Sequence, residues 1–296
     1  MKANLYISDE TFLYNGKDSD EDVIRKLNDF AVLFNYIILK NKGDVVLLRN
    51  NEFYSVPVFF DKRTMSDVLF SGADEFRDLS NLMLQYLTYF KNENLTQVEL
   101  LERLKNKNEL NAIIVLNLPE VIDEQHNDYV IFNITDWFSF HRKQLYVRPH
   151  KEIQFFMDDV PLYFEKIIVH NDNVRLMKSV YKTHLKQIVT YLGYLNDYLF
   201  QDYKEYMESK QGDFVSFLNF FATKHSIDGA SLEGNKKNEF YKEFMFQGRK
   251  EKRYCEPHLK IYKNDKQEKN NHCRIYFSKI KDSDEYVFVG IIKEHV

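Results

Sequence analysis

Cysteine, glycine, proline and tryptophan are all scarce in this chain. Its 296 residues include two Cys, nine Gly, five Pro and a single Trp. Two thiols cannot build a disulfide framework, and thiols inside a cell are kept reduced, so Cys255 and Cys273 are expected to be reduced. Few glycines and prolines predict long helices and strands that are joined by short turns.

Long apolar runs and a secretory leader are also lacking. No run approaches the roughly 18 apolar residues that a membrane span needs, and no apolar stretch follows Lys2. We therefore expect a cytoplasmic protein with no membrane contact and no cofactor. The chain also lacks the patterns GxxxxGK(S/T), GxGxxG, HExxH, CxxC and GxSxG. Their absence argues against P-loop nucleotide hydrolysis and serine hydrolase chemistry.

Aromatic side chains are abundant, and positive charge is concentrated near the C-terminus. Hydrophobic residues make up 44% of the sequence, with 20 Tyr and 25 Phe, which is typical of a globular protein. The net charge is −4, yet residues 235–296 hold 15 Lys and Arg against 10 Asp and Glu, which leaves 26 basic and 35 acidic residues elsewhere. A polyanionic partner would therefore meet the C-terminal part; the alternative is a solvated, lysine-rich surface.

The first half of the chain alternates strand and helix patterns. An acidic turn after Ser19 leads into apolar residues at helical spacing up to Phe34, and Thr96 with Glu99 forms a capping box ahead of another helix. Strands are predicted at 3–7, 44–48, 53–60, 111–117 and 129–134, and helices at 19–34, 74–90 and 96–104. We interpret residues 1–165 as a mixed α/β sensor or regulatory domain.

A basic and aromatic stretch lies between Thr135 and His150. It contains the only tryptophan, Trp137, and the basic residues His141, Arg142, Lys143, Arg148 and His150. Such a stretch can hold nucleic acid through phosphate contacts and base stacking. The alternative, which the abundance of aromatic residues favours, is a helix with its rings in the core and its basic side chains in water.

The longest helical pattern covers residues 174–207 and would span about 50 Å if unbroken. Gly193 lies inside it, where glycine costs about 1 kcal/mol against alanine. We interpret residues 166–228 as a helical connector whose long helix binds a partner protein or a second copy of the chain, or else belongs to the core. The polar segment 226–238 contains two glycines and marks the next domain boundary.

Residues 229–296 form a basic module that is rich in predicted strands. A helix is predicted at 240–246, followed by strands at 256–262, 273–280 and 285–292, the last two forming a hairpin. Side chains alternate across a strand, so one face of this sheet should carry polar groups, namely His258, Lys260, Tyr262, Arg274 and Tyr276. The whole chain is expected to be an α+β protein with a mixed N-terminal domain, a long helical connector and a small C-terminal antiparallel sheet packed on helices.

The predicted polar face suits metal-independent cleavage of RNA. That reaction needs a base to activate the 2′-OH, cations to stabilise the phosphorane, and an acid to protonate the 5′ oxygen that leaves. Glu256 or a neighbouring lysine is a candidate base, and Arg274 and Lys260 are candidate phosphate clamps. His295 is the candidate acid, because histidine titrates near neutral pH.

The succession of a helix, EPHLKIY, CRIYF and YVFVGIIKEHV resembles the end of RelE/ParE-like ribonuclease toxins, over about residues 225–296. The resemblance implies a small sheet packed on helices that enters the ribosome and cuts messenger RNA without a metal. It also implies that Glu256, Arg274 and His295 are catalytic. Substrate binding would then fall to neighbouring residues of the same sheet, which are His258, Lys260, Tyr276 and Lys293.

The acidic residues that precede this module depart from the RelE/ParE pattern, since those toxins are short and basic. Such an extension suggests a built-in inhibitor or a sensor, and the chain is similar to bacterial antiphage defence proteins in which a sensor domain restrains a toxin-like end. We therefore expect a toxin-like or antiphage defence ribonuclease. The alternative is a non-catalytic defence or regulatory protein that binds nucleic acid or another protein.

The same module supports a zinc site as a further alternative. Cys255, His258, His272 and Cys273 offer four ligands of the types that tetrahedral zinc prefers. Adjacent residues of a strand point to opposite faces, which argues against His272 and Cys273 sharing a metal. The other interpretation is two buried thiols and unconnected imidazoles.

Overall fold

The computed structural model describes residues 3–40, 45–87, 89–106, 109–117, 122, 124–209, 212–234, 238–262, 272–280 and 284–295. The chain forms two compact units, residues 1–140 (unit 1) and residues 141–296 (unit 2). Helices, a parallel sheet and a mainly antiparallel sheet make this an α+β protein, as predicted. No helix among the described residues is long and apolar enough to cross a membrane.

Strands and helices alternate through unit 1. The strands are β1 (Ala3–Ile7), β2 (Val45–Arg49), β3 (Phe90–Asn92), β4 (Leu110–Ile114) and β5 (Val130–Ile131). The helices are α1 (Asp9–Phe12), α2 (Asp20–Lys40), α3 (Met65–Phe70), α4 (Arg77–Leu87), α5 (Gln97–Lys105) and α6 (Ile134–Val147), which continues into unit 2. The predicted capping box is present at the start of α5, where Thr96 and Glu99 cap each other's backbone N–H groups.

The five strands of unit 1 form one parallel sheet in the order β3-β2-β1-β4-β5. The strand order reverses between β1 and β4, which is the doubly wound arrangement of open α/β sheets. Helices cover both faces: Leu5 and Ala112 pack in the cluster that contains α2 and α4. Tyr6 and Ile113, on the opposite face, pack with Leu104 of α5.

The strand predicted at residues 53–60 is wrong. Asn51–Ser55 is a 3₁₀ helix, and only an isolated bridge joins Pro57 to Thr64. Proline has no N–H to donate to a ladder, so Pro57 is a poor member of a strand. The apolar residues of this segment are instead buried in the core of unit 1, with Phe53 fully enclosed.

Unit 2 begins with helices and ends with strands. Its helices after α6 are α7 (Ile153–Tyr163), α8 (Asn173–Leu176), α9 (Tyr181–Asp197), α10 (Leu199–Ser209) and α11 (Phe214–Lys224). Its strands are β6 (Ile167–Val169), β7 (Gly229–Ser231), β8 (Tyr241–Phe246), β9 (Arg249–Tyr254), β10 (His258–Ile261), β11 (His272–Phe277) and β12 (Val287–His295).

The main sheet of unit 2 has the order β6-β12-β11-β10-β7. Strands β7, β10, β11 and β12 pair antiparallel, and β6 adds a parallel edge strand to β12. The strands predicted at 256–262, 273–280 and 285–292 correspond to β10, β11 and β12. One face of this sheet is closed by the apolar side chains of Leu259, Ile261, Cys273, Ile275 and Phe277, all of which are fully buried.

The helix predicted at residues 240–246 is wrong, because this segment is strand β8, paired with β9 in a separate hairpin. Phe244 is buried while Glu243 and Met245 on either side of it are exposed, so burial follows a period of two. The turn between the strands contains Gln247 and Gly248, both with positive φ, as a tight hairpin turn requires.

Residues 174–207 are interrupted and do not form the single predicted helix. A 3₁₀ turn at Met177–Ser179 precedes α9, and Tyr198 separates α9 from α10. Before that break the Asn196 side chain accepts a hydrogen bond from the Lys166 N–H at 2.8 Å, and asparagine is a weak helix former. The apolar side of α9, which includes Leu185, Ile188 and Leu192, is buried within unit 2.

The described contacts divide the chain at residue 140. Residues 166–228, interpreted from the sequence as a connector, lie within unit 2. The finer boundaries predicted at residues 165 and 228 remain predictions.

Candidate functional site

Three neighbouring strands of unit 2 bring basic and imidazole side chains to one face of the main sheet. Lys260 of β10 pairs with Arg274 of β11, and Arg274 pairs with Lys293 of β12. Two residues before Arg274, at the start of β11, His272 pairs with His295 of β12. Because alternate residues of a strand share a face, these groups lie on the same side of the sheet. We call the following set the polar face: His258, Lys260, Tyr262, His272, Arg274, Tyr276, Lys293 and His295.

The three cations of the polar face form a row across the strands. Arg274 donates a hydrogen bond to Glu233 at 2.8 Å, and Lys293 donates one to Glu239 at 2.9 Å. Burial, with the positive charge of Arg274 as a second cause, lowers the pKa of Lys260. A row of cations at the spacing of adjacent strands is suited to the phosphates of a nucleic acid backbone.

Glu233 is the acidic centre of this site, and sequence reasoning missed it. It follows β7 and its carboxylate also accepts a hydrogen bond from the Tyr276 hydroxyl at 3.3 Å. The same carboxylate lies 3.6 Å from Nδ1 of His258. The segment containing Glu233 has the polar, glycine-containing composition of a linker, so its only signal was a carboxylate close to a strand that pairs with β10.

His258 and Tyr276 form the buried floor of the polar face. His258 is only 1% exposed, and its Nε2 lies 3.1 Å from the Ser231 hydroxyl. Burial, followed by the charge of Arg274, lowers the pKa of His258 to about 4, so the imidazole is neutral at pH 7. Burial raises the pKa of Tyr276 to about 12, which keeps its hydroxyl protonated. The Tyr276 ring also stacks on Phe240 at 5.1 Å between centroids.

The polar face also carries a pair of histidines, His272 and His295, directly opposite each other on β11 and β12. Burial, then the charge of Arg274, lowers the pKa of His295, which favours a neutral imidazole. His272 is buried, and its Nδ1 has no hydrogen-bond partner among the residues that the structure describes. The Tyr262 ring meets His272 edge to face at 4.6 Å. A neutral, partly exposed imidazole beside a cation row is suited to accept a proton.

The predicted catalytic residues are not all brought together. Arg274 and His295 are diagonal neighbours on paired strands, a separation of about 7–8 Å between backbones. Glu256 precedes β10 by two residues and accepts a hydrogen bond from the Gly234 N–H at 3.2 Å. Glu256 lies outside β10, four residues before Lys260, the partner of Arg274, and its carboxylate is held at Gly234, next to Glu233. The structure therefore places Glu233, and not Glu256, beside Arg274.

The zinc alternative gains no support from the described residues. They contain no group of three or more His, Cys, Asp or Glu side chains that could hold a metal ion. Cys255 is enclosed near Phe288, whose carbonyl lies 3.7 Å from its sulfur, and burial raises its thiol pKa to about 12. Cys273 lies on the opposite face of β11 from His272, and burial raises its pKa as well. Both thiols behave as small apolar residues of the core.

The basic and aromatic stretch around α6 is largely internal. Trp137 is fully buried in unit 1. In unit 2 the His141 ring is buried and stacks on Tyr163 with centroids 4.3 Å apart. Arg142 donates to the Tyr163 carbonyl at 2.7 Å and to both carboxylate oxygens of Asp197. This arrangement favours the core interpretation of the stretch over nucleic-acid binding.

Unit 1 has a cavity at the carboxyl ends of β4 and β5, where doubly wound sheets commonly bind ligands. It encloses about 240 Å³. Lys26 donates to Asp18 at 2.5 Å and to Asn117 at 2.8 Å, and Asn117 in turn donates to the Leu13 carbonyl. Asn133 already accepts from two N–H groups at the start of α6. These polar groups mainly hold the loops to one another.

Comparison of the chain with family models, with curated proteins and with solved structures gave no match. The geometry of the polar face is therefore the basis for assigning a function.

Proposed function

We propose that the polar face of unit 2 binds RNA and cleaves it without a metal, in a cytoplasmic bacterial protein of the toxin-like or antiphage defence type. The observation that carries the proposal is the in-register row Lys260, Arg274 and Lys293 beside the opposed pair His272 and His295. In this proposal the cations bind the RNA phosphate, and the neighbouring imidazoles transfer protons. This is the chemistry expected of a RelE/ParE-like module.

The proposed reaction is attack of a ribose 2′ oxygen on the adjacent phosphorus. His295 takes the 2′-OH proton, since its lowered pKa keeps it neutral at pH 7. Arg274 and Lys293 stabilise the negative charge of the phosphorane. Lys260, an ammonium with a lowered pKa, gives a proton to the 5′ oxygen as the phosphorus–oxygen bond breaks. The products are a 2′,3′-cyclic phosphate and a 5′ hydroxyl.

Glu256 is given no part in this proposed reaction, because its carboxylate accepts a hydrogen bond from the Gly234 N–H while Glu233 is the carboxylate that contacts Arg274. Glu233 takes a different role: its carboxylate holds Arg274 and Tyr276 in place and occupies the position that a phosphate would need. An RNA phosphate must displace it. Free RNA would therefore be a weak substrate, and a structured context such as a messenger RNA on the ribosome would be a better one.

The test is cleavage of single-stranded RNA and of ribosome-bound messenger RNA by the full chain in EDTA. We expect 2′,3′-cyclic ends, and no cut where a 2′-deoxy nucleotide replaces the attacking residue. Arg274→Ala and His295→Ala should each lower the rate about a hundredfold or more. Lys250→Ala is the matched control, because Lys250 is an exposed cation of β9 with a surface ion pair to Glu243. Cleavage that survives both face variants would remove the catalytic assignment.

The second candidate is binding of RNA without cleavage. It is favoured by the ion pairs that hold Arg274 and Lys293 and by the burial of His258 and Tyr276. In that case RNA affinity would fall in Arg274→Ala and Lys293→Ala, while no cyclic phosphate would form with any substrate. A protein partner would be the remaining alternative if RNA affinity were unchanged in both variants.

A further inference from the structure

Unit 2 also contains a cavity, and its lining residues come from a different part of the sequence than the polar face. It encloses about 510 Å³ between the end of α6, the segment that leads into α7, and the start of α9. This volume lies within the range of small-molecule sites in proteins. Its lining shares no residue with the polar face. We call it the lysine cavity, after Lys151, Lys182 and Lys186.

The charge of the lysine cavity is one-sided. The three lysines line it together with His150, and no Asp or Glu lines it. None of the three ammonium groups lies within ion-pair distance of a carboxylate in the part of the chain that the structure describes. All three lysines are exposed, and because like charges along one cavity repel each other, a bound anion would be favoured there.

The start of helix α9 adds positive potential to the lysine cavity. α9 is 17 residues long, and Tyr181, Lys182 and Thr183 of its first turn line the cavity. The residue before it, Val180, offers no side-chain cap. The positive end of the helix dipole lies at this first turn, on the side of the lysines. The helix start therefore reinforces the positive charge of the cavity, most of which comes from the three lysines.

Aromatic and polar groups define the rest of the wall. Tyr181 is 5% exposed, and burial raises its pKa to about 12, so its hydroxyl stays a donor. Tyr146 presents a half-buried ring, with the Lys186 ammonium 5.9 Å from its centroid. His150 is oriented by Asp159, which lies 2.7 Å from its Nε2. A ring surface next to clustered ammonium groups matches a ligand that has both a flat base and several phosphates.

We propose that the lysine cavity binds a nucleoside polyphosphate. Lys182 and Lys186 contact the phosphates, Lys151 completes the neutralisation, and Tyr146 supports the base. Three ammonium groups match the charge of a triphosphate far better than that of a single phosphate. The site is independent of RNA cleavage and would let a nucleotide bind the same unit that carries the polar face.

The test is calorimetric titration of the full chain with ATP, sodium triphosphate and adenosine, without divalent cations. We expect ATP to bind one to one, triphosphate more weakly, and adenosine not at all at millimolar concentration. Lys182→Gln and Lys186→Gln should each weaken ATP and triphosphate about tenfold. Tyr146→Leu should weaken ATP and leave triphosphate unchanged. Lys204→Gln is the control, because Lys204 is an exposed lysine of α10 outside the cavity.

Three outcomes would overturn the proposal. The first is no binding of ATP or triphosphate at millimolar concentration to a chain whose thermal unfolding shows it to be folded. The second is equal weakening in Lys204→Gln, which would mean diffuse attraction by surface charge. The third is displacement of ATP by a short single-stranded RNA whose own binding depends on Lys182 and Lys186, since the cavity would then be part of an RNA path.

Discussion

Glu233 and Arg274 lie 2.8 Å apart, carboxylate to guanidinium, at the centre of the polar face. Glu233 belongs to the segment after β7, and Arg274 to β11 in the middle of the sheet. The pair is mostly shielded from solvent, with side-chain exposures of 16% and 14%. An RNA phosphate that uses Arg274 must therefore compete with a carboxylate that is already in place.

Glu233→Gln is expected to raise RNA affinity. The substitution removes one negative charge next to Arg274 while keeping a side chain of the same size, so affinity should increase about threefold to tenfold at low salt. Fluorescence anisotropy with a labelled single-stranded RNA measures this. The variant should also unfold about 1–3 kcal/mol more easily, because a partly buried guanidinium loses its charged partner.

Glu285→Gln serves as the control for Glu233→Gln, since Glu285 is exposed. It removes the same charge from unit 2 and should change RNA affinity little. If the two variants raised affinity equally, net charge and not competition at Arg274 would be the cause.

The pH dependence of cleavage distinguishes the two roles that His295 can have. Burial and Arg274 lower its pKa from the ordinary value of 6.5, so the neutral form needed by a base is present at pH 7 and is lost as the pH falls below 6.5. The rate should therefore rise with pH through a midpoint below 6.5. An acid at this position would give the opposite slope. Single-turnover rates between pH 4.5 and 8, with His295→Ala as the reference, decide between the two.

Which residues of a strand share the polar face was predictable, because the alternation of side chains along a strand is a local property. In β10 and β11, alternate residues share a face whatever the strands pair with, so Lys260, Arg274 and Tyr276 could be grouped from sequence. Position along the strand is not local. Glu256 has the same parity as Lys260, but only the strand register shows that Lys260, and not Glu256, is the partner of Arg274. Glu233 was missed because its contact depends on long-range pairing of β7 with β10.

The difference between local patterns and long-range contacts also explains which parts of the fold were predictable. The buried strands β4 and β5 and the helices α2 and α5 have strong local patterns and were predicted. Short apolar runs are ambiguous between helix and strand, and the segment that forms β8 was interpreted as a helix for that reason. The order β3-β2-β1-β4-β5 is a property of tertiary contacts and was not predicted.

His258 should make the protein less stable in mild acid. Its pKa is about 4 in the folded protein and 6.5 when unfolded, so between these values the unfolded chain binds a proton that the folded chain does not. The contribution to stability is complete above pH 6.5 and is lost as the pH falls towards 4. The difference between the two pKa values corresponds to about 3 kcal/mol of stability.

Urea unfolding at pH 7 and pH 4.5 measures this loss. His258→Gln keeps a polar group near Ser231 and removes the titration, so its stability should fall less between the two pH values than that of the unsubstituted chain. His141 is also buried with a lowered pKa, so the comparison must be the difference between the two proteins. An identical loss in both would show that His258 is not the group responsible.

Two glycines of unit 2 should respond to alanine in opposite directions. A Cβ at Gly290 in β12 would lie 2.8 Å from the Cys255 sulfur and 2.9 Å from its Cβ, inside a closely packed part of the sheet. Overpacking of this kind costs about 1–3 kcal/mol. Among the described residues, a Cβ at Gly193 in α9 would meet only the Arg142 guanidinium, at 3.9 Å. In a helix interior, alanine is favoured over glycine by about 1 kcal/mol.

Gly290→Ala should therefore lower the free energy of unfolding, and Gly193→Ala should raise it, in urea titrations at pH 7. Cys255→Ala combined with Gly290→Ala should recover part of the loss, because it removes the sulfur while leaving the Cβ contact at 2.9 Å. Recovery by this second change is specific to the packing of β12 against Cys255. If Gly290→Ala were neutral, β12 would not approach Cys255 as closely as 2.8 Å, and the close packing between these two residues would be refuted.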